Sequence, residues 1–199
     1  GPLNLLQAVQ VALSREARGH GVLVVMDGQI HAAERVTKLA TQGVGAFASP
    51  LSGPLGWVDD VGVHLPTARG PRQVSFAGLD LPEQWPQVPI VYGCVEPEPL
   101  LLSACLQAGV AGLVFTGTGA GQLSAAERSA LQAWPGKRAL MLRANRCGSG
   151  PVHHHYEDER LGLLPAGSLN PQKARVLLLL AVLAGWNRVQ LAALITASP

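Results

Sequence analysis

The sequence predicts an α/β protein in two parts, the second built on a short parallel sheet flanked by helices. Three observations carry that prediction. Continuous apolar runs rich in valine, at residues 21–26, 88–95 and 112–116, suit strands buried on both faces. Stretches with apolar residues at helical spacing alternate with these runs, which is the rhythm of α/β folds. A segment rich in Pro, Gly and polar residues, 67–87, shows little periodicity and reads as the linker between the parts.

In chain order, residues 5–17 carry Leu5, Leu6, Val9, Ala12 and Leu13 at helical spacing, ended by Gly19 and Gly21. The strand GVLVVM follows and turns at Asp27-Gly28. Residues 31–41 are short and polar and read as a loop or a brief helical turn. Short strand-like pieces lie near Val58 and Val63. Beyond the linker, VPIVYGCV is a strand, and residues 99–108 form a helix with Leu101, Leu102, Cys105 and Leu106 on its face. GLVFT is the next strand. Ser124 caps a helix to residue 134, with Glu127 three residues on completing a capping box. A third strand covers 139–143, a polar irregular stretch covers 145–162, and Leu163-Leu164 begins a fourth strand. Asn170-Pro171 places an N-cap and a first-turn proline before a helix running to about residue 184, and a last helix covers 188–195.

Composition narrows the function. The 199 residues are 48% apolar, enough for a packed core in one large or two small domains. A formal net charge of +2 and the lack of any Lys/Arg run argue against nucleic acid as a partner. The most apolar run, residues 176–186, is far shorter than the roughly 20 residues a membrane span needs, so it is read as a buried helix. Cys94, Cys105 and Cys147 are scattered without CxxC spacing, which speaks against a zinc site or a dense disulfide framework and leaves a single disulfide open.

Three features could carry chemistry. Gly117, Gly119 and Gly121 in TGTGAGQ follow a strand, but a dinucleotide fingerprint needs its third glycine where Gln122 stands, so a backbone turn is the better reading. Open α/β sheets place ligands at such carboxyl ends in any case. His153, His154 and His155 are adjacent and would alternate sides on a strand, so a solvated loop outweighs a metal site. Lys38 is a lone lysine, ordinarily a solvated charge unless burial beside an acid tunes it.

Four stretches, in order, resemble the bacterial type II L-asparaginases and the related glutaminase-asparaginases. Gly1-Pro2-Leu3-Asn4 resembles that family's DGPxN segment, so Gly1 is read as native sequence. Residues 21–38, GVLVVMDGQIHAAERVTK, are similar to its strand and VTK loop. Gly53-Pro54-Leu55-Gly56 matches its GPLG. Residues 167–177, GSLNPQKARVL, match the start of its long C-terminal helix. The agreement covers essentially the whole chain.

The resemblance implies that residues 1–80 are the end of a larger N-terminal α/β domain with its linker, and that 81–199 are the smaller C-terminal domain. It implies hydrolysis of L-asparagine to L-aspartate and ammonia, often with weaker action on L-glutamine, through attack by a threonine. A weak hydroxyl nucleophile needs a base and an oxyanion stabiliser. The family's nucleophile lies in a TGGT motif with a nearby tyrosine, and a GTDT-like motif adds a second threonine and an aspartate. Lys38 occupies the position of the lysine that completes this second group, and the other four groups are not in this chain. TGTG at 116–119 falls in the smaller domain and is not the nucleophile motif, so the isolated chain is expected to be inactive.

By the same resemblance, each active site borrows two groups from a neighbouring subunit's small domain. Ala120 stands where the family has an asparagine, with Gln122 the nearest amide. His155 falls at the position of an acid before the final helix, with Glu157 two residues on. No cofactor or metal is implied, and the parent is expected to be a homotetramer. The compartment, periplasm or cytoplasm of a bacterium, is not read from the chain, because any export signal would lie upstream of Gly1. The departures at Ala120 and His155 keep a second reading in view, a non-catalytic binding or assembly module derived from such an enzyme.

Overall fold

The computed structural model describes residues 1–66, 75–95, 98–134 and 139–197, so residues 67–74 of the expected linker lie outside the described residues. The chain divides into two compact units, residues 1–72 and 73–199.

The first unit opens with helix α1 (Pro2–Leu13). Proline is tolerated in the first turn, where its missing N–H has no partner to lose. The helix ends at Ser14, five residues before Gly19, because Ser14 swings to extended backbone and its hydroxyl accepts from the Glu16 N–H at 3.1 Å. Its buried residues are Gln7 and Val11. Leu5, Leu6, Val9 and Leu13, the apolar residues at helical spacing, are exposed.

The run expected to be a doubly buried parallel strand is instead the first arm of an antiparallel hairpin. Strand β1 (Leu23–Met26) is half-buried along its whole length and pairs antiparallel with β2 (Gln29–Ala32), Met26 opposite Gln29. The reason is the two-residue turn between them. Asp27 and Gly28 both take positive φ, 51° and 72°, the geometry that sends a twisted strand straight back along itself. The segment 31–41, expected to be a loop or a brief helical turn, therefore holds the end of β2 and then β3 (Thr37–Lys38), which pairs with β4 (Phe47–Ala48). Strands β5 (Gly56–Val58) and β6 (Val63–His64), at the strand-like pieces near Val58 and Val63, complete a four-stranded antiparallel sheet in the order β1-β2-β5-β6. Val11, Ile30 and Val58 form this unit's core.

The second unit matches the predicted architecture. Strands β7 (Ile90–Tyr92), β8 (Gly112–Gly117), β9 (Leu140–Asn145) and β10 (Leu163–Pro165) form one sheet in the order β10-β9-β8-β7, every neighbouring pair parallel. Between the strands run helices α2 (Leu100–Gln107), α3 (Ala125–Ala133) and the short α4 (Asp158–Leu161); α5 (Pro171–Leu183) and α6 (Arg188–Ala197) follow. Side chains alternate along each strand and serve two cores. Leu113, Phe115, Met141 and Leu163 pack with Leu102 and Leu106 of α2, Leu131 of α3 and Leu161 of α4. Val114, Leu142, Ala144 and Leu164 pack with Ala174, Leu178 and Ala181 of α5 and with Leu191 and Ile195 of α6. The caps are those the sequence predicts. Ser124 and Glu127 form a reciprocal capping box, and the Asn170 side chain accepts from the Lys173 N–H at 3.0 Å. Cys94, Cys105 and Cys147 are free thiols.

Two stability predictions follow from this packing. Leu178 is fully buried at the contact between α5 and the sheet, so Leu178→Ala should cost about 2–5 kcal/mol in urea unfolding. The change Val176→Ala on the exposed side of the same helix should stay within about 0.5 kcal/mol. In the first unit, His31 is 1% exposed, its Nδ1 lies 3.0 Å from the Ser49 hydroxyl, and burial holds its pKa below the ordinary 6.5. The fold thus favours the neutral ring, and below pH 6.5 the unfolded chain takes up the proton first. Stability tied to His31 is present above pH 6.5 and is lost as the pH falls through the lowered folded value. Thermal unfolding followed across that range should show a loss in the wild type that His31→Gln diminishes.

Candidate functional site

The glycine-rich segment after β8 is a closed turn at the carboxyl end of that strand. Thr118 and Gln122 bridge it, with the Gln122 N–H donating to the Thr118 carbonyl at 2.7 Å and the Thr118 N–H donating back at 3.1 Å. Gly121 has φ +85°, and a Cβ there would stand 2.9 Å from Arg143 Nη1 and 3.0 Å from the Ala144 carbonyl. The glycine therefore serves both a left-handed backbone and a close approach. Ala120 and Gln122 ride on this turn with exposed side chains.

Arg143 holds the turn from beneath. It sits on β9 at 2% exposure, and its Nε and Nη2 grip both carboxylate oxygens of Asp158 at 2.7 and 2.8 Å. Nη1 donates to the Ala120 carbonyl at 2.9 Å, and Nη2 also donates to the His153 carbonyl at 2.8 Å. Asp158 Oδ2 further accepts from the His155 N–H at 2.8 Å. One buried ion pair thus staples the 118–122 turn to the 153–158 segment. Neither residue stood out in the sequence, where the third strand is read as ending at Arg143. The signal was present: a charge inside an otherwise apolar strand needs a buried partner. The strand in fact runs on to Asn145.

The staple brings three of the expected small-domain residues together. Gln122, His155 and Glu157 line one crevice with Arg128, Arg143 and Asp158. His155 is half-buried and tilted against Tyr156 at 4.3 Å between ring centroids. Its Nδ1 receives the Glu157 N–H at 3.4 Å and stands 3.9 Å from Glu157 Oε2. Glu157 stands at the N-cap position of α4 without a side-chain capping bond, and its carboxylate pairs with Arg160. The crevice has a volume of about 10 Å³, room for roughly one water molecule. By itself it is a floor rather than a pocket. His153 and His154 are exposed on the loop, and among the described residues no three His, Cys, Asp or Glu side chains are grouped as metal ligands.

Lys38 belongs to the other unit, at the end of β3. It is exposed, and its ammonium lies over the Phe47 ring, 5.9 Å from the centroid, a cation–π approach. Among the described residues no carboxylate is in salt-bridge contact with it.

Comparison with known proteins decides the family. The model described as "Glutaminase/Asparaginase C-terminal domain" matches residues 87–195, and that described as "Asparaginase, N-terminal" matches residues 1–69. The chain belongs to the glutaminase/asparaginase family. Among its relatives, L-asparaginase 2 of Bacillus subtilis is 38% identical over 184 residues, covering 92% of this chain and 49% of the relative. L-asparaginase 2 of Escherichia coli is 33% identical over 186 residues, covering 92% and 53%. The glutaminase-asparaginase of Pseudomonas fluorescens biotype A is 34% identical over 188 residues, covering 92% and 51%. The chain thus spans about half the length of the curated relatives it matches.

In this asparaginase-family chain the parallel sheet lies within the part that matches the C-terminal domain, and so does the whole Arg143 staple. Breaking the staple from one side should be severe. Asp158→Ala leaves a guanidinium buried and unpaired, and urea unfolding should show a loss of roughly 3–5 kcal/mol. Glu159→Ala, next in sequence but 71% exposed and 3.5 Å from Arg188, should change stability by less than about 1 kcal/mol.

Proposed function

We propose that the full-length protein is an amidohydrolase that converts L-asparagine and water to L-aspartate and ammonia, with weaker action on L-glutamine. A threonine outside this chain would attack the side-chain amide, and Lys38 would assist the proton transfers. The observation that carries this reading is the run of both family matches, in order, along nearly the entire chain. The small-domain geometry is compatible with it. Ala120, Gln122, His155 and Glu157 stand on two segments joined by Arg143, as a surface offered to a neighbouring subunit's substrate would require. In this reading the parent assembles as a homotetramer, residues 81–199 act as the small domain, and the crevice floor gains its walls from the neighbour.

A second reading has its own support. The family resemblance gives an asparagine where Ala120 stands and an acid where His155 stands, and Lys38 is exposed over Phe47. A non-catalytic binding or assembly module derived from an asparaginase would carry such changes without penalty.

Ammonia release separates the two. The 199-residue chain should release none above the buffer blank. The full-length protein should turn over L-asparagine, and Lys38→Ala should lower its kcat by about 10²–10⁴ through loss of proton-transfer assistance. A full-length protein that is folded and inert toward both amides would favour the binding module. Turnover unaffected by Lys38→Ala would remove the lysine from the mechanism.

A further inference from the structure

We propose that Arg143 is a positioning residue for substrate capture: it sets the 118–122 turn and the 153–158 segment as one rigid unit, so that the groups on both meet a single substrate together. The inference rests on the reading that these two segments face substrate, and it assigns to Arg143 a part that composition, motif and resemblance do not give it.

The argument is geometric. The two segments are far apart in sequence, and among the described residues the hydrogen bonds that join them run through Arg143. The guanidinium reaches the turn at the Ala120 carbonyl, the loop at the His153 carbonyl, and the start of α4 at Asp158, whose second oxygen holds the His155 N–H. Its planar fork makes these contacts at fixed mutual angles, which a lysine ammonium on a flexible stem does not reproduce. Every group it touches outside Asp158 is main chain. Arg143 therefore sets where the loops stand without engaging the side chains of Gln122, His155 and Glu157. Gly121 is the fitted counterpart, since a Cβ there would press on Nη1 from 2.9 Å. A buried guanidinium needs partners for the donors its carboxylate leaves over, and here the two carbonyls that supply them belong to the turn and to the loop beside the crevice.

Hydrogen exchange and steady-state kinetics on the full-length protein test this together. In the wild type, the Gln122 and His155 amides should open in one step, with the same dependence on urea. Arg143→Lys should speed exchange in both segments by roughly tenfold, the loss of a charged hydrogen bond, and leave β8 and α5 protected. It should also raise KM for L-asparagine roughly tenfold while kcat changes less, because binding groups rather than reacting atoms are misplaced. Gly121→Ala places its Cβ on the turn side of the guanidinium, 2.9 Å from Nη1, and should quicken exchange in 153–158 as well as in the turn. Independent opening of the two amides in the wild type, loosening confined to one segment, or loss of kcat with KM unchanged would each overturn the proposal. Should the wild-type full-length protein hydrolyse neither amide, the functional reading fails on its own, and the exchange data still decide whether Arg143 couples the segments.

Discussion

A buried guanidinium is the constraint around which the second unit is arranged. Removing Arg143 and Asp158 from water costs several kcal/mol per ion even after relaxation, and only near-complete hydrogen bonding offsets it. Arg143 comes close to that. Four bonds, two to Asp158 and two to carbonyls, use its donors on three sides. Asp158 is equally committed, its two oxygens holding the arginine and the His155 N–H. An apolar pair could fill the same volume at no loss of stability, but it could not specify where two polar loops must lie.

The fold prepares the place for this pair. A parallel sheet covered by helices on both faces buries alternate residues of β9 in opposite cores, and Arg143 follows Met141 on the side of α2, α3 and α4. It comes where the apolar layer thins, near the carboxyl end of the strand. There the loops leave the sheet, and their free carbonyls and N–H groups need partners that no strand supplies. The arginine meets that need for the turn after β8 and the loop before α4 in one step. Short α4 completes the arrangement, since it begins with Asp158 and ends at Gly162 in left-handed conformation.

What could be read from the sequence depended on whether its cause was local. The capping box at Ser124 and Glu127 and the cap at Asn170 are decided within four residues, and both were legible. The strands of the parallel sheet were legible because short, valine-rich apolar runs alternate there with stretches at helical spacing. The first hairpin was misread although Asp27-Gly28 signals it, since an apolar run alone does not distinguish a doubly buried strand from one arm of a hairpin. The exposure of the α1 leucines was not legible, because spacing reveals an apolar face without revealing what covers it. In the candidate site, the residues carried over by resemblance could be named, and their company could not. Gln122 and His155 are thirty-odd residues apart in sequence, and the agent that joins them is a strand residue whose meaning appears only once the strand is folded.

The staple also bears on why Ala120 and His155 are compatible with this fold. Arg143 binds the carbonyls of Ala120 and His153, and Asp158 binds the N–H of His155. All three contacts are main chain, so they persist whichever side chain these positions carry. Side-chain identity at 120 and 122 is therefore nearly uncoupled from these bonds, while the His155 ring adds one of its own, accepting from the Glu157 N–H at 3.4 Å. Such uncoupling is what a recognition surface needs, because its outward groups can change with the ligand while their placement stays fixed. The crevice beneath them, about 10 Å³, is too small to select a substrate alone. Selection would then belong to the exposed side chains and to whatever surface closes over them, while the buried arginine governs only the distance between them.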